Sequence, residues 1–300
     1  VKSIPVIDVS ALVAGAGNMA AVDADIDRAC REVGFFSIVG HGVSSKLCHD
    51  LLTSARAFFA LDDAEKSDIE MARGGRAWRG WFPVGGELTS GIPDRKEGIY
   101  FGAEMPTGTA RPLRGPNLFP ARPTELRVLV LEYIDEMTRL GHALMRAIAR
   151  GLGRDADEFQ RALTADPTIL FRIFHYPPSS PAAAADDEWG VREHTDYGLL
   201  TMLLQDDSGG LQVHGRAGWV DIPPQPDAFV CNLGDMLERI TEGRYRSTPH
   251  RVRNASTRGR LSCPFFFDPS WDAQVGDTTY GNYLLAKVAR VFPELGSEVL

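Results

Sequence analysis

The spacing of hydrophobic and polar positions changes about half-way along the chain. Before residue 165 the apolar residues recur mostly at helical intervals. "DADIDRACREVG" puts Ile26, Ala29, Cys30 and Val33 on one face, and residues 46 to 59 predict a second helix. A longer helix is expected from Pro123, suited to a first turn, to Gly151 and Gly153, suited to its end. Leu126, Val130, Met137, Leu144 and Ile148 form its core-facing stripe. Short strands are expected at "IPVIDVSAL" and "FFSIVGHG". Residues 72 to 98 are rich in Gly and Pro yet hold Trp78, Trp81 and Phe82, which predicts an ordered loop with aromatic anchors.

After residue 166 the period becomes that of strands. "TILFRIFHY", "LLTMLLQ", "GLQVH", "GWVDIP", "AFVCNL", "HRVRN" and "RLSCPFFF" are short and separated by Gly, Pro and Asp. "PPSSPAAAADDE" reads as a mobile loop, and a final helix is expected from Thr279 to Val291. Many short strands predict an antiparallel sandwich, jelly roll or barrel. With the helices gathered before them, the class is α+β around one β core. No linker is evident, so residues 1–300 read as one domain. It comprises a mostly helical region over 1–165, the β core over 166–270 and a C-terminal helix over 271–300. There is no internal repeat, no Walker loop and no GxGxxG after a strand.

Composition narrows the class. Hydrophobic residues make up 44%, ample for a large core, and the net charge of −8 argues against nucleic acid or an anionic membrane as partner. No apolar run approaches the ~20 residues of a membrane span. The opening "VKSIPVIDVS" lacks the pattern of a signal peptide. Cys30, Cys48, Cys231 and Cys263 have no CxxC spacing, which predicts reduced thiols in a cytoplasmic protein.

The chemistry lies in "VREHTDYGLLTMLLQDDSGGLQV", where His194 and Asp196 stand at the mouth of an apolar run. Chargeable groups there are costly unless something binds them. Residues two apart on a strand share a face, so both should point one way; a surface histidine beside a turn aspartate is the plain alternative. His250, in "RSTPHRVRN", opens another strand that a neighbouring position would bring within ligand distance. Two imidazoles and one carboxylate make the facial set of non-haem Fe(II) sites, and zinc accepts the same ligand types. Arg260 and Ser262 in "RLSCPFFFDP" also share a face. An arginine inside an apolar strand calls for an anion, and its planar fork suits a carboxylate, either a protein's or a ligand's, to which the serine hydroxyl can add a hydrogen bond. A dicarboxylate cosubstrate bridging metal and Arg260 satisfies both features, and 2-oxoglutarate fits.

These segments, with "GWVDIPPQPDAFVCNLGDMLERITEGRYRSTPHRV" and the N-terminal "IPVIDVS" and "REVGFFSIVGHGV", resemble the isopenicillin N synthase-like branch of the Fe(II)/2-oxoglutarate-dependent dioxygenases. The likeness spans nearly the whole chain. It implies a double-stranded β-helix (jelly-roll) core with flanking helices, using Fe(II), 2-oxoglutarate and O2. It also implies His194, Asp196 and His250 as iron ligands, Arg260 and Ser262 on the cosubstrate's distal carboxylate, and Tyr176 beside them. The implied reaction releases succinate and CO2 and most often hydroxylates a small molecule. One departure is Phe174, where relatives commonly carry an asparagine that orients the cosubstrate. His175 should face away from Tyr176 in a structural role.

Arg172, in phase with Phe174 and Tyr176, is a candidate for a substrate or cosubstrate carboxylate. Tyr197, Trp81 and Phe82 are candidates for the substrate side, with ordinary packing as the alternative for each. Asn232 and Asp235 should fix a turn and support the site. Arg76, Arg79, Arg95 and Lys96 either favour an anionic substrate or form a solvated face. Two other readings stand: an iron oxidase of the isopenicillin N synthase type that needs no 2-oxoglutarate, and a non-catalytic metal- or 2-oxoglutarate-binding protein. The oxidase carries a further glutamine ligand near its C-terminus, whereas the last glutamine here is Gln274. A monomer or weak homo-oligomer, binding neither nucleic acid nor membrane, completes the expectation.

Overall fold

The computed structural model describes residues 3–108, 111–179, 189–254 and 256–291. Most of the loop expected at "PPSSPAAAADDE" lies outside the described residues. From Pro167 onward the chain alternates between two antiparallel sheets. Strands Pro167–Tyr176, Leu200–Gln205, Phe229–Leu233 and Arg260–Ser270 lie in the larger sheet. Strands Val191–His194, Leu211–Gly215, Gly218–Ile222 and His250–Val252 form the smaller one. This back-and-forth between facing sheets is the jelly roll that the strand pattern predicts, and all seven expected strands are present.

Side-chain alternation sorts the larger sheet into two faces. On its outer face Phe171, Phe265 and Phe267 are buried beneath helix Leu126–Gly151. Tyr133 of that helix packs on Phe171 with ring centroids 5.0 Å apart. The expected stripe of Leu126, Val130, Met137, Leu144 and Ile148 is wholly buried. The helix begins three residues after Pro123 rather than at it. Helices Met19–Glu32 and Ser45–Phe59 pack on the same helix. On the inner face Arg172, Phe174 and Tyr176 of one strand and Arg260, Ser262 and Phe266 of the next line a cavity of about 730 Å³.

Two strands of the first half, Val6–Asp8 and Phe35–Val39, were expected, and two more, Gly80–Phe82 and Glu97–Gly102, fall in or beside the segment expected as a loop. All four extend the larger sheet on both flanks to eight strands. Gly80–Phe82 and Glu97–Gly102 are buried at every position, so no polar–apolar alternation reveals them in the sequence. The segment around them is ordered as expected, and Trp78, Trp81 and Phe82 are buried. Between these strands a small hairpin, Leu88–Thr89 with Ile92–Pro93, reaches the C-terminal helix Tyr280–Val291 across the cavity mouth.

Gly141 tests the packing of the long helix on the sheet. A Cβ added there would lie 2.6 Å from the buried Phe267 ring. Alanine in a helix interior is worth about 1 kcal/mol over glycine, yet overpacking a rigid core costs about 1–3 kcal/mol. Gly141→Ala should therefore lower the urea midpoint of unfolding without changing the slope. A more stable variant would show that the ring is not pressed against the helix.

Candidate active site

Three segments converge at one end of the jelly roll. His194 ends its strand, and His250 begins the neighbouring one directly opposite it. Asp196 lies beyond the strand, in the link to Leu200–Gln205, so its convergence with His194 comes from that link and not from strand alternation. Two glycines permit the approach. A Cβ on Gly234 would meet the Gly198 carbonyl at 2.4 Å, and one on Gly198 would meet Asp268 at 1.5 Å. The Asp235 N–H then donates to the Asp196 carbonyl at 2.7 Å.

The ligand atoms of His194, Asp196 and His250 all lie within 4.8 Å of one another. Each imidazole has its Nδ1 on a carbonyl oxygen, Arg192 for His194 at 2.8 Å and Thr248 for His250 at 3.2 Å. A carbonyl only accepts, so Nδ1 carries the proton and Nε2 keeps its lone pair for a metal. Asp196 is divided in the same way. Its Oδ2 accepts from Thr201 Oγ1 at 2.5 Å and Asn232 Nδ2 at 2.7 Å. Its Oδ1 faces His194 Nε2 at 3.7 Å and His250 Nε2 at 3.6 Å.

Burial alone would raise the Asp196 carboxyl, but the two imidazoles and these hydrogen bonds outweigh it and hold the group below its usual range. Burial, reinforced by the neighbouring His194, pushes His250 down to about 4. A neutral imidazole and an ionised carboxylate are the forms that bind a metal.

Arg260 is wholly buried. Its Nε donates to the Gly209 carbonyl at 2.5 Å and its Nη2 meets Gln205 Oε1 at 3.5 Å. Its Nη1 has no partner. The register sets Arg260 opposite Tyr176, whose hydroxyl lies 3.2 Å from Ser262 Oγ. No carboxylate among the described residues pairs with this guanidinium, which leaves a buried cation waiting for an anion.

A model of the 2OG-Fe(II) oxygenase superfamily matches residues 167–269, and one described as non-haem dioxygenase in morphine synthesis N-terminal matches residues 4–122. A protein of Dictyostelium discoideum named as a probable iron/ascorbate oxidoreductase is 43% identical over 93% of this chain and 91% of its own. The homoarginine-6-hydroxylase 2-ODD-C23.1 of Arabidopsis thaliana is 36% identical over 91% of this chain and 87% of its own. Among solved structures, a full-length Neurospora crassa protein in complex with alpha-KG superposes with a TM-score of 0.83 at 26% identity, covering 95% of each chain. The chain belongs to the Fe(II)/2-oxoglutarate oxygenases.

As a member of this family the enzyme uses Fe(II), 2-oxoglutarate and O2. Its residues fit them: two neutral imidazoles and a carboxylate on one side suit ferrous iron, and the orphaned Arg260 suits a carboxylate. No helix among the described residues is long and apolar enough to cross a membrane.

Other expected residues fall on two sides of the cavity wall. Arg172 and Tyr197 line it. Trp81 and Phe82 are buried behind it: Trp81 Nε1 donates to Glu97 at 2.9 Å, and Phe82 packs on Phe174. His175 faces away and hydrogen-bonds Glu97 at 2.8 Å. Asn232 supports Asp196 directly, and Asp235 accepts from Ser247 at 2.8 Å, tying the Asp196 segment to the one leading into His250. Lys96 and Arg79 do not form a solvated face, since each is 2% exposed. Thr201 and the Gly209 carbonyl were not legible in advance. Thr201 alone had a signal, a hydroxyl residue on the inward phase of "LLTMLLQ".

Two expectations follow. Asn232→Ala leaves Asp196 Oδ2 with one donor, so metal affinity should fall by roughly 10–100-fold in a chelator competition; unchanged affinity would remove its supporting role. The second concerns Asp268, whose carboxyl is pushed up to about 7, chiefly by burial, against hydrogen bonds from Tyr280 and Leu199. An acid with a raised folded pKa holds its proton in the fold, so it lowers stability as pH rises from about 4 through about 7. Relative to Asp268→Asn, the wild type should lose up to about 1.4 kcal/mol per pH unit in that window. Parallel stability–pH curves for the two proteins would contradict this.

Proposed function

We propose that this oxygenase hydroxylates a small molecule while converting 2-oxoglutarate to succinate and CO2, with His194, Asp196 and His250 as the iron ligands. The unpartnered Nη1 of the buried Arg260 carries the cosubstrate assignment. In this reading the distal carboxylate of 2-oxoglutarate takes Arg260 and the Ser262 hydroxyl, with Tyr176 holding Ser262 in place. Bound iron supplies activation of O2. The chain supplies the rest: Nδ1 donors that aim each imidazole, Thr201 and Asn232 that leave one Asp196 oxygen free, and apolar walls that exclude water from the oxidant.

Phe174 takes the place of an asparagine common in relatives, and the Lys96 ammonium lies 4.9 Å from its ring. Orientation of the cosubstrate therefore rests on the metal and on Arg260 with Ser262. Tyr197 faces the substrate, while Phe82 shapes that side through Phe174 and Tyr100 and Trp81 stays behind the wall on Glu97. The whole chain acts as one catalytic domain, supported by N-terminal strands hydrogen-bonded into the core sheet. Four unpaired cysteines support a reducing, cytoplasmic setting.

The oxidase alternative loses support from Gln274, which is exposed on the short strand Gln274–Val275 and does not line the cavity. Arg260→Lys keeps charge but loses the two-pronged geometry. It should raise the KM for 2-oxoglutarate roughly ten- to a hundredfold, the worth of one charge-assisted hydrogen bond. Tyr176→Phe should act more mildly, and the primary substrate's KM should barely move. Weakened binding of the primary substrate with no consumption of 2-oxoglutarate would favour the oxidase instead.

A further inference from the structure

The substrate side of the cavity carries a second guanidinium, one that the protein leaves without a full set of hydrogen bonds. Arg172 sits with its guanidinium 3.7 Å from the Tyr100 ring centroid and 5.2 Å from that of Phe266. Its one acidic neighbour at ion-pair distance, Glu87, is 3.6 Å away, too long for a hydrogen bond. Glu87 is already committed, since one oxygen accepts from the Tyr100 hydroxyl at 2.5 Å and the other pairs with Lys96 at 3.0 Å. Lys96 also takes Asp94, at 2.5 Å. The Arg172 Nε is buried and without a partner.

Behind Arg172 lies another buried guanidinium. Arg79 is 2% exposed, shares a small pocket with Arg172, and donates to the Leu113 carbonyl. No carboxylate among the described residues is at ion-pair distance from it. Burial, with repulsion from Arg172, pulls Arg79 down to about 9, against the more distant pull of Glu104. Lys96, Arg172 and Arg79 thus stand near Glu87 and Asp94, with Glu104 acting on Arg79. Arg172 and Lys96 both line the cavity, and of the two Lys96 is closely paired, with Glu87 and Asp94.

The Arg172 charge is distinct from the cosubstrate clamp. Arg172 is four residues from Tyr176 on the same strand face, roughly 13 Å along the strand. The two arginines therefore stand on separate stretches of the cavity wall.

We propose that Arg172 docks a carboxylate of the primary substrate, making the substrate a small organic acid gripped against Tyr100 and Phe266. This rests on the oxygenase reading above, because it assigns the substrate of that same cavity. Two aromatic rings lie within cation–π range of the guanidinium, whose planar fork favours a two-pronged carboxylate over a point charge. Glu87 and Arg172 both line the cavity, and Glu87 reaches Arg172 only at 3.6 Å.

The test measures binding by ligand-observed NMR to Fe(II)-loaded protein with 2-oxoglutarate, kept anaerobic. The probes are hexanoate, benzoate and L-norleucine, each beside its primary amide. At least one acid should bind roughly tenfold or more tightly than its amide. Arg172→Gln should abolish that gap while leaving 2-oxoglutarate affinity within about twofold, and Arg172→Lys should keep part of the gap. The proposal is overturned if acids and amides bind alike, if none of the probes binds, or if the gap survives in Arg172→Gln. The wild-type comparison alone decides the matter should the glutamine variant fail to fold. Loss of all succinate formation from 2-oxoglutarate, with the acid–amide gap intact, would instead sink the oxygenase reading and leave Arg172's role standing.

Discussion

Everything at this site depends on how the Asp196 carboxylate is divided. Thr201 and Asn232 hold one oxygen inside the sheet, and the other is left facing two imidazole nitrogens. A buried carboxylate costs several kcal/mol unless its lone pairs are satisfied, and here half of that satisfaction is left for a cation. The surrounding backbone serves this arrangement. Gly198 and Gly234 let two segments come closer than any side chain would permit, and Asp235 with Ser247 ties the His250 segment to them. The pull is mutual, since the imidazoles keep Asp196 ionised while burial and the second ring keep His250 neutral.

The same economy of charge shapes the rest of the cavity. Arg260 at one end and Arg172 towards the other each present guanidinium atoms that the protein leaves without hydrogen bonds. Buried cations of this kind are rare unless a ligand completes them. Neighbouring carboxylates fill the role only in part, since Glu87 approaches Arg172 no closer than 3.6 Å, beyond hydrogen-bond reach. Glu87 and Asp94 are taken up by Lys96, and Asp206 accepts from the Leu261 N–H and from Arg56 instead of reaching Arg260.

Much of this was legible in the sequence wherever a period was at work. Arg260 with Ser262, and Arg172 with Phe174 and Tyr176, share the inner face because strand alternation survives in an otherwise apolar run. The stripe on helix Leu126–Gly151 was legible for the same reason. Where no period exists, reading failed or succeeded for another cause. His194 and Asp196 do converge, but through the link after a strand. Gly80–Phe82 and Glu97–Gly102 are buried on both faces, so nothing alternates. Trp81 and Phe82 lie in the right segment but behind the wall, because which face of a short strand meets the cavity depends on its partner's register. Thr201, Gly209 and the pairing of Lys96 with Glu87 and Asp94 rest on contacts between distant segments, which no local pattern encodes.

The central claim is that one cosubstrate molecule joins the metal triad to Arg260. Its most direct measurement compares, without oxygen, the affinity of 2-oxoglutarate for the iron-free and Fe(II)-loaded protein. A ligand held at both ends must gain from the metal, and the metal from it, by the same factor. Iron loading should tighten 2-oxoglutarate by about tenfold or more, with a single site per chain. Equal affinity in the two forms would mean that the molecule does not span the triad and Arg260, and the account would fail at its centre.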